Sequence, residues 1–230
     1  MRPPIYEPKG KAKEYGDLAL NIYTGCPHRC FYCFAPQVLH TDREKFHSHV
    51  EPRPGIVEAV KTQLEKEKIT GKLIHLCFTC DPYPTGYDST TTREIINLLK
   101  EHGNHVQILT KGNGERDFDL LDSGDWYGVT LDGSEARNLA AARLASLRYA
   151  ATVGVKTWIS FEPVLNDRRI LTYIKLSRDN FVNRVKIGKL NYHPSDINWK
   201  QFGQDAETIC QNLGLDYYIK DSLRAEINKP

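Results

Sequence analysis

The feature that most constrains the fold is a regular alternation of two kinds of segment along the chain. Short apolar runs rich in β-branched residues alternate with segments of helical spacing, and Gly, Asp or Pro closes each run. Such alternation favours parallel strands, because a right-handed crossover helix is the usual way to return the chain for parallel pairing. We therefore predict an α/β fold, an incomplete (β/α)6-type parallel barrel in a single domain.

The apolar runs predict seven strands, and the segments between them predict about six helices. The strands are expected near residues 18–24, 73–79, 106–110, 126–131, 155–161, 182–187 and 215–219. The clearest helix is alanine-rich and covers residues 134–152, with Ser134 as its cap and Gly154 just past its end. Residues 1–17 are predicted to be an N-terminal extension, and residues 18–230 to form the barrel.

Composition and charge narrow the class of protein. Hydrophobic residues are 40% of the chain and charged residues 26%, as in ordinary globular proteins. The formal net charge is +2 with both signs mixed, which gives no bulk electrostatic surface for a membrane or nucleic acid. No apolar run approaches the roughly 20 residues of a membrane span, and no signal peptide is recognisable. We expect a cytoplasmic protein without a membrane partner.

Three of the six cysteines fall within eight residues, directly after the first predicted strand. Cys26, Cys30 and Cys33 form the pattern C-x3-C-x2-C. Disulfide frameworks are typical of short secreted chains, so clustered cysteines here indicate a metal site or catalysis. A [4Fe-4S] cluster is normally held by four thiolates, and three would leave one iron with an open position for a further ligand.

Zinc is the main alternative, because Cys30 and Cys33 form one C-x2-C pair and Cys77 and Cys80 form another. The two pairs are separated by more than the usual ~15–20 residues, and a zinc site built from them would leave Cys26 unexplained. The pattern therefore favours iron, with zinc left open.

The C-x3-C-x2-C motif, with aromatic Tyr32 just before its last cysteine, resembles the radical S-adenosylmethionine (radical SAM) superfamily. This resemblance implies that Cys26, Cys30 and Cys33 hold a [4Fe-4S] cluster whose open iron is chelated by the amino and carboxylate groups of SAM. One electron then cleaves SAM to methionine and a 5′-deoxyadenosyl radical. Tyr32 would contact the adenine.

Two further segments resemble the spore photoproduct lyase-like branch, whose members carry Thr-x-Asp after strand two and Thr-Lys after strand three. In this chain they are Thr79-Cys80-Asp81 and Thr110-Lys111. By this resemblance Asp81 would approach the methionine amino group and Lys111 its carboxylate. Thr130 would approach the ribose, and Phe34 would line the cofactor pocket.

The predicted ends of the strands point to the same residues. Reactive groups in a barrel gather at the carboxyl ends of its strands, and we expect five polar residues there. They are Asp81, Lys111, Thr130, Asp132 and Glu162. Asp132 is counted with the cofactor-binding residues. Glu162 is expected to shape the cofactor floor or to act on substrate as acid or base.

Cys80 is the candidate catalytic thiol. The lyase has a cysteine immediately before its Thr-x-Asp segment, where this chain has Phe78. Strand alternation places Cys80 on the same face as Phe78 and Cys77 on the other. Packing as a small hydrophobic side chain is the alternative role for Cys80. His28, between the first two cysteines, is expected to be solvated.

These observations predict a radical SAM enzyme that abstracts hydrogen from a small or nucleic-acid-derived substrate. Tyr192, His193, Trp199 and Lys200 could stack on bases and pair with phosphate. We expect a flavodoxin- or ferredoxin-like protein to supply the electron. The alternative function is a zinc- or cluster-stabilised nucleic-acid-binding module without radical chemistry.

Overall fold

A computed structural model describes residues 3–229, and the chain divides into two compact units between Trp126 and Tyr127. Each unit contains parallel strands with helices in the connections, so the predicted α/β class is confirmed. All seven predicted strands are present, with boundaries that shift by a few residues. Within the described residues no helix is both long and apolar enough to cross a membrane.

The first unit is built on strands β1 to β4, paired in chain order. They are β1 (Ile5–Tyr6), β2 (Leu18–Leu20), β3 (Leu73–Leu76) and β4 (His105–Thr110). Strand β1 is antiparallel to β2, whereas β2, β3 and β4 are parallel, with Leu20 opposite Leu76 and Leu76 opposite Ile108. The helices are α1 (Ala35–Val38), α2 (Arg43–Ser48), α3 (Ile56–Glu67) and α4 (Thr90–Glu101).

Strand β1 lies in the segment that we predicted only as an extension. It is two residues long, which is too short to leave a period in the sequence. The side-chain amide of Gln63 on α3 completes its hydrogen bonding, accepting from the Ile5 N–H at 2.8 Å and donating to the Ile5 carbonyl at 2.9 Å. A long-range side-chain contact therefore stabilises this strand.

Strand β5 (Trp126–Thr130) begins at the division between the units. It is followed in the second unit by β6 (Lys156–Val164), β7 (Arg184–Lys189) and β8 (Asp216–Ile219), which pair in parallel in chain order. The helices are α5 (Arg137–Thr152), α6 (Asp167–Ser177), α7 (Trp199–Leu213) and α8 (Asp221–Ile227).

The β6–β8 sheet has two chemically different faces because successive side chains point to opposite sides. One face is apolar and fully buried, with Ile159, Phe161, Val185 and Ile187 at 0% exposure. The other, which we call the polar face, carries Trp158, Ser160, Glu162, Lys186, Gly188, Tyr218 and, just after β8, Lys220.

The start of helix α5 corrects one prediction. The helix begins at Arg137, and Ser134 is not its cap. Instead, the Ser134 N–H and hydroxyl both donate to Asp132 Oδ1, at 2.9 and 2.6 Å. This local turn keeps Ser134 in the loop, since Asp and Ser side chains bond readily to backbone two residues away. The predicted end of the helix is confirmed: it stops at Thr152, and Gly154 follows with φ +85°.

Candidate cofactor site

The three clustered cysteines lie on one loop, residues 25–33, between β2 and α1; we call it the cysteine loop. All three thiols are free and half-buried. A Cβ atom on Gly25 would collide with the carbonyl oxygens of Phe46 and His49, so only glycine allows the loop to pass so close to the end of α2. The Cys26 N–H donates to that same Phe46 carbonyl at 3.2 Å.

Two side chains of helix α2 bond to the backbone of the loop. Arg43 donates to the carbonyls of Cys30, Phe31 (2.8 Å) and Cys33 (3.2 Å). The buried imidazole of His47 lies with Nδ1 2.8 Å from the Cys26 carbonyl. The backbone of every cysteine in the motif is thus bonded to residues 43–47, and sequence reasoning missed both side chains because neither belongs to the motif.

His28 is not solvated as we predicted. Its side chain is only 13% exposed, and Nε2 lies 2.9 Å from Asp81 Oδ2. Asp81 also accepts hydrogen bonds from the Tyr83 N–H, the Thr110 hydroxyl and the Lys111 N–H, at 2.8, 2.5 and 2.8 Å. These contacts join the cysteine loop to the carboxyl end of β4.

The charge state of Asp81 follows from the same contacts. Burial by itself raises the pKa of this carboxyl, but the bond and charge of His28 and the bonds from Lys111 and Thr110 outweigh it. The net result is a pKa below the usual value. Each Asp81 oxygen already accepts hydrogen bonds from two protein donors. The carboxylate therefore holds the surrounding segments together, whether or not it also binds a cofactor amino group.

Lys111 and Tyr32, two of the predicted cofactor-binding residues, are in contact. Lys111 Nζ is 2.5 Å from the Tyr32 hydroxyl and 5.1 Å from the centre of its ring. An ammonium beside an aromatic face offers a charge for a carboxylate and a surface for a base. Phe34 immediately precedes α1 and is 50% exposed.

Cys77 and Cys80 do not alternate as predicted. Strand β3 ends at Leu76, so the two-residue period does not reach them. Both side chains are buried and their thiols are hydrogen-bonded to each other, while Cys80 Sγ accepts from the Tyr23 N–H at 3.4 Å. Burial raises the pKa of the Cys77 thiol well above its usual value. The catalytic role of Cys80 stays a prediction.

The donor set of the cysteine loop fits an iron–sulfur cluster. Three free thiols lie on one short loop, and a [4Fe-4S] cluster held by three thiolates keeps one iron open to a further ligand. Among the residues the structure describes, His105, Asp122 and Asp125 also bring their ligand atoms within 4.8 Å of one another, but they lie outside this loop.

Burial also affects the chemistry of these thiols. It raises the pKa of Cys26, with a further contribution from the charge of Asp81, and it raises the pKa of Cys33. The thiols of Cys26 and Cys33 would therefore release protons on binding a metal.

In the second unit, the predicted residues at the ends of β5 and β6 form hydrogen bonds or ion pairs with other residues of the same unit. The Thr130 carbonyl accepts from Arg143 at 2.9 Å, and Asp132 is bonded to Ser134 as described above. Glu162 on β6 forms an ion pair with Lys220 at 2.7 Å, and Lys220 is 1% exposed. A Cβ on Gly188 would come within 2.9 Å of Glu162, so glycine in β7 lets this side chain cross toward Lys220.

Sequence reasoning also did not identify Lys186, which lies on the polar face. It is 6% exposed, with Nζ 5.5 Å from the centre of the Trp158 ring and 5.9 Å from that of Tyr218. Such contacts partly replace the solvation that a buried ammonium loses. The predicted strand around residues 182–187 could have signalled it, since a lysine within an apolar strand is unusual.

The family assignment follows from comparison of the whole motif region with known proteins. The model of the Radical SAM superfamily matches residues 20–167, more than half of the chain. The chain belongs to this superfamily. Membership in the radical SAM superfamily implies an enzyme that uses a [4Fe-4S] cluster and SAM. It leaves the spore photoproduct lyase-like branch and the roles of individual site residues as predictions.

Solved structures agree with the fold. SuiB of Streptococcus suis bound to its precursor peptide SuiA matches with a TM-score of 0.64 and 12% identity, over 91% of this chain and 50% of that one. SuiB bound to S-adenosylmethionine matches with a TM-score of 0.38 and 11% identity, over 81% and 60%. The first match confirms the radical SAM fold class, and the chain spans about half the length of that protein.

A sequence relative is the uncharacterized protein ORF301 of Acidianus two-tailed virus. It is 28% identical over 207 residues, which cover 76% of this chain and 68% of the viral protein.

Proposed function

We propose that this chain cleaves SAM reductively at a [4Fe-4S] cluster held by Cys26, Cys30 and Cys33. The observation that carries the proposal is the placement of three free thiols on one loop whose backbone is bonded to α2 and whose His28 is bonded to Asp81. A loop held at both sides is suited to a catalytic centre, because its ligands are already oriented.

The residues near the loop have separate tasks in this proposal. Lys111 would bind the cofactor carboxylate, and the ring of Tyr32 would stack with the adenine. Asp81 would orient both the loop and the Thr110–Lys111 backbone, since all its hydrogen bonds run to those segments and to Tyr83. When bound, the cluster and SAM supply an electron and a 5′-deoxyadenosyl radical that abstracts hydrogen.

For the substrate we propose a nucleic-acid-derived molecule. Support comes from the region where β7 ends and α7 begins, where Tyr192 is 89% exposed and the Lys189 ammonium, ion-paired with Glu226, lies 5.8 Å from the centre of the Trp199 ring. Exposed aromatics combined with cations are typical of surfaces that bind single-stranded nucleic acid. Loss of affinity for a single-stranded oligonucleotide when Trp199 and Lys200 become Ala would support it. Unchanged affinity would remove it.

The activity is tested by 5′-deoxyadenosine release after anaerobic reconstitution with iron and sulfide, with SAM and a chemical reductant. We expect release by the native chain and none above background from Cys26→Ala, Cys30→Ala or Cys33→Ala. Cys210→Ala is the matched control, because Cys210 is a free cysteine buried in α7. A chain with a full cluster and no release would contradict radical chemistry, and bound zinc in place of iron would contradict the cluster.

The electron donor is part of the proposal. We propose a flavodoxin- or ferredoxin-like protein, because one-electron transfer to a cluster requires a partner of low potential. Replacement of the chemical reductant by such a protein should sustain 5′-deoxyadenosine release.

A further inference from the structure

Arg43 makes an unusual set of bonds for a side chain on a protein surface. It is the first residue of α2, and its helix is capped by Asp42, which accepts from the Lys45 N–H at 2.9 Å. From there the Arg43 guanidinium donates to three backbone carbonyls within four consecutive residues, those of Cys30, Phe31 and Cys33.

These carbonyls need a cation at the point where they converge. Three carbonyl oxygens directed at one point repel one another, and a guanidinium is a permanent cation with five donors in a planar fork. Bonding all three restricts the backbone between Cys30 and Cys33. Because a side chain leaves the backbone in a direction set by φ and ψ, the two thiols are oriented by the same contacts.

We propose that Arg43 is a positioning residue for the iron–sulfur cluster. It orders residues 30–33 so that the thiols of Cys30 and Cys33 are in place before the cluster binds, and its fixed charge favours the reduced cluster. This inference rests on the proposed function, since it requires the cluster that Cys26, Cys30 and Cys33 would hold.

The charge effect follows from electrostatics. Reduction adds one negative charge to the cluster, and the reduction potential of such clusters depends on nearby charge and hydrogen bonding. Arg43 is exposed, so solvent screens its charge, and we expect a small effect. Loss of the charge should lower the one-electron reduction equilibrium constant about threefold, which corresponds to about 28 mV.

Three variants separate the bonds from the charge. Arg43→Gln removes both, whereas Arg43→Lys keeps the charge but not the fork. Arg29→Gln is the matched control, since Arg29 is an exposed arginine of the cysteine loop whose fork bonds to both carboxylate oxygens of Glu44, at 2.5 and 2.6 Å. The measurements are iron and sulfide per reconstituted chain, the rate of cluster loss to an iron chelator, and the midpoint potential from a redox titration followed by EPR.

We expect Arg43→Gln to lose its cluster about tenfold faster than the native chain and to have the lower potential. Arg43→Lys should lose its cluster faster but keep the native potential, and Arg29→Gln should keep the native rate of cluster loss. The proposal is overturned if Arg43→Gln matches the native chain in both the rate of cluster loss and the midpoint potential. It is equally overturned if Arg29→Gln loses its cluster as fast as Arg43→Gln.

Two controls make the outcomes distinct. Each metal-free variant should unfold at the same urea concentration as the native chain. A lower unfolding midpoint in urea for Arg43→Gln would assign its faster cluster loss to general destabilisation and overturn the positioning role. A native chain that takes up no cluster contradicts the proposed function itself. If the native chain holds a cluster and cleaves SAM, but Arg43→Gln behaves like the native chain, only this inference is contradicted.

Discussion

The surroundings of the cysteine loop in the first unit and the polar face in the second use polar side chains in different ways. In the first unit, Arg43, His47 and Asp81 bond mainly to backbone atoms of loops, so that they set the path of the chain around the cysteines. On the polar face of the second unit, charges bond to one another or to rings, as in the pair of Glu162 with Lys220. Side-chain to backbone bonds orient ligands, whereas charge pairs keep buried ions neutralised.

This difference predicts where a substitution affects stability and where it affects cofactor binding. Removal of one partner of a buried ion pair leaves a charge with no compensation. Removal of a group that binds a cofactor leaves the fold intact and lowers affinity. Four substitutions test this difference, in decreasing order of expected free-energy change.

Lys220→Met should have the largest effect. It leaves Glu162 without its ion-pair partner, and we expect a loss of about 3–5 kcal/mol in the free energy of unfolding, measured with urea. The double variant Lys220→Met with Glu162→Gln removes both charges and should recover much of the loss. If the double variant is no more stable than the single one, the pair is not the source of the effect.

Asp81→Asn should come next, at about 2–3 kcal/mol of unfolding free energy. The amide can replace one oxygen acceptor but not both, so some of the donors from His28, Thr110 and Lys111 lose their bond. Asp88→Asn is the control, because Asp88 is exposed and bonds only to its own turn. Equal stability of the two variants would contradict a joining role for Asp81.

Gly188→Ala should destabilise the chain by about 2 kcal/mol, since the new methyl group crowds the Glu162 side chain. The same substitution in a Glu162→Ala background should cost little, because the crowded atoms are gone. A double-mutant cycle of urea unfolding measures this coupling. Additive effects would show that Gly188 is required for some other reason.

Lys111→Ala should change cofactor binding rather than stability. We expect SAM affinity to fall about tenfold, or about 1.4 kcal/mol, while the iron content of the reconstituted chain stays the same. Equilibrium dialysis with labelled SAM and an iron assay provide the two readings. Iron lost in parallel with SAM affinity would indicate instead that the Lys111–Tyr32 contact supports the cysteine loop.

Part of the first-unit candidate site could be proposed from the sequence because its residues are close in sequence or follow strands. Spacing singled out the three cysteines and a strand end singled out Lys111, whereas Tyr32 came from the family resemblance; the structure brings Tyr32 and Lys111 into contact. Arg43 and His47 could not be found in this way. Their partners are backbone carbonyls, which every residue carries, so the sequence holds no pattern that identifies the acceptors.

The errors have a related cause. His28 was expected in solvent because a loop histidine has no local partner, yet it meets Asp81, 53 residues away. The alternation of Cys77 and Cys80 failed because the strand ends at Leu76, and strand ends depend on pairing with β2 and β4. Ser134 is not a helix cap because its N–H and hydroxyl bond to Asp132 in the preceding loop, and the helix begins three residues later at Arg137.

Hydrophobic periodicity and ligand spacing were sufficient to predict the α/β class and the seven longer strands, and to identify the cysteine motif that leads to the radical SAM superfamily. Both are properties of neighbouring residues. The contacts of α2 with the cysteine loop, of Asp81 with the end of β4 and of Glu162 with Lys220 across Gly188 are visible only in the folded chain. Such contacts join residues far apart in the chain, and their free energies depend on burial, which no local pattern records.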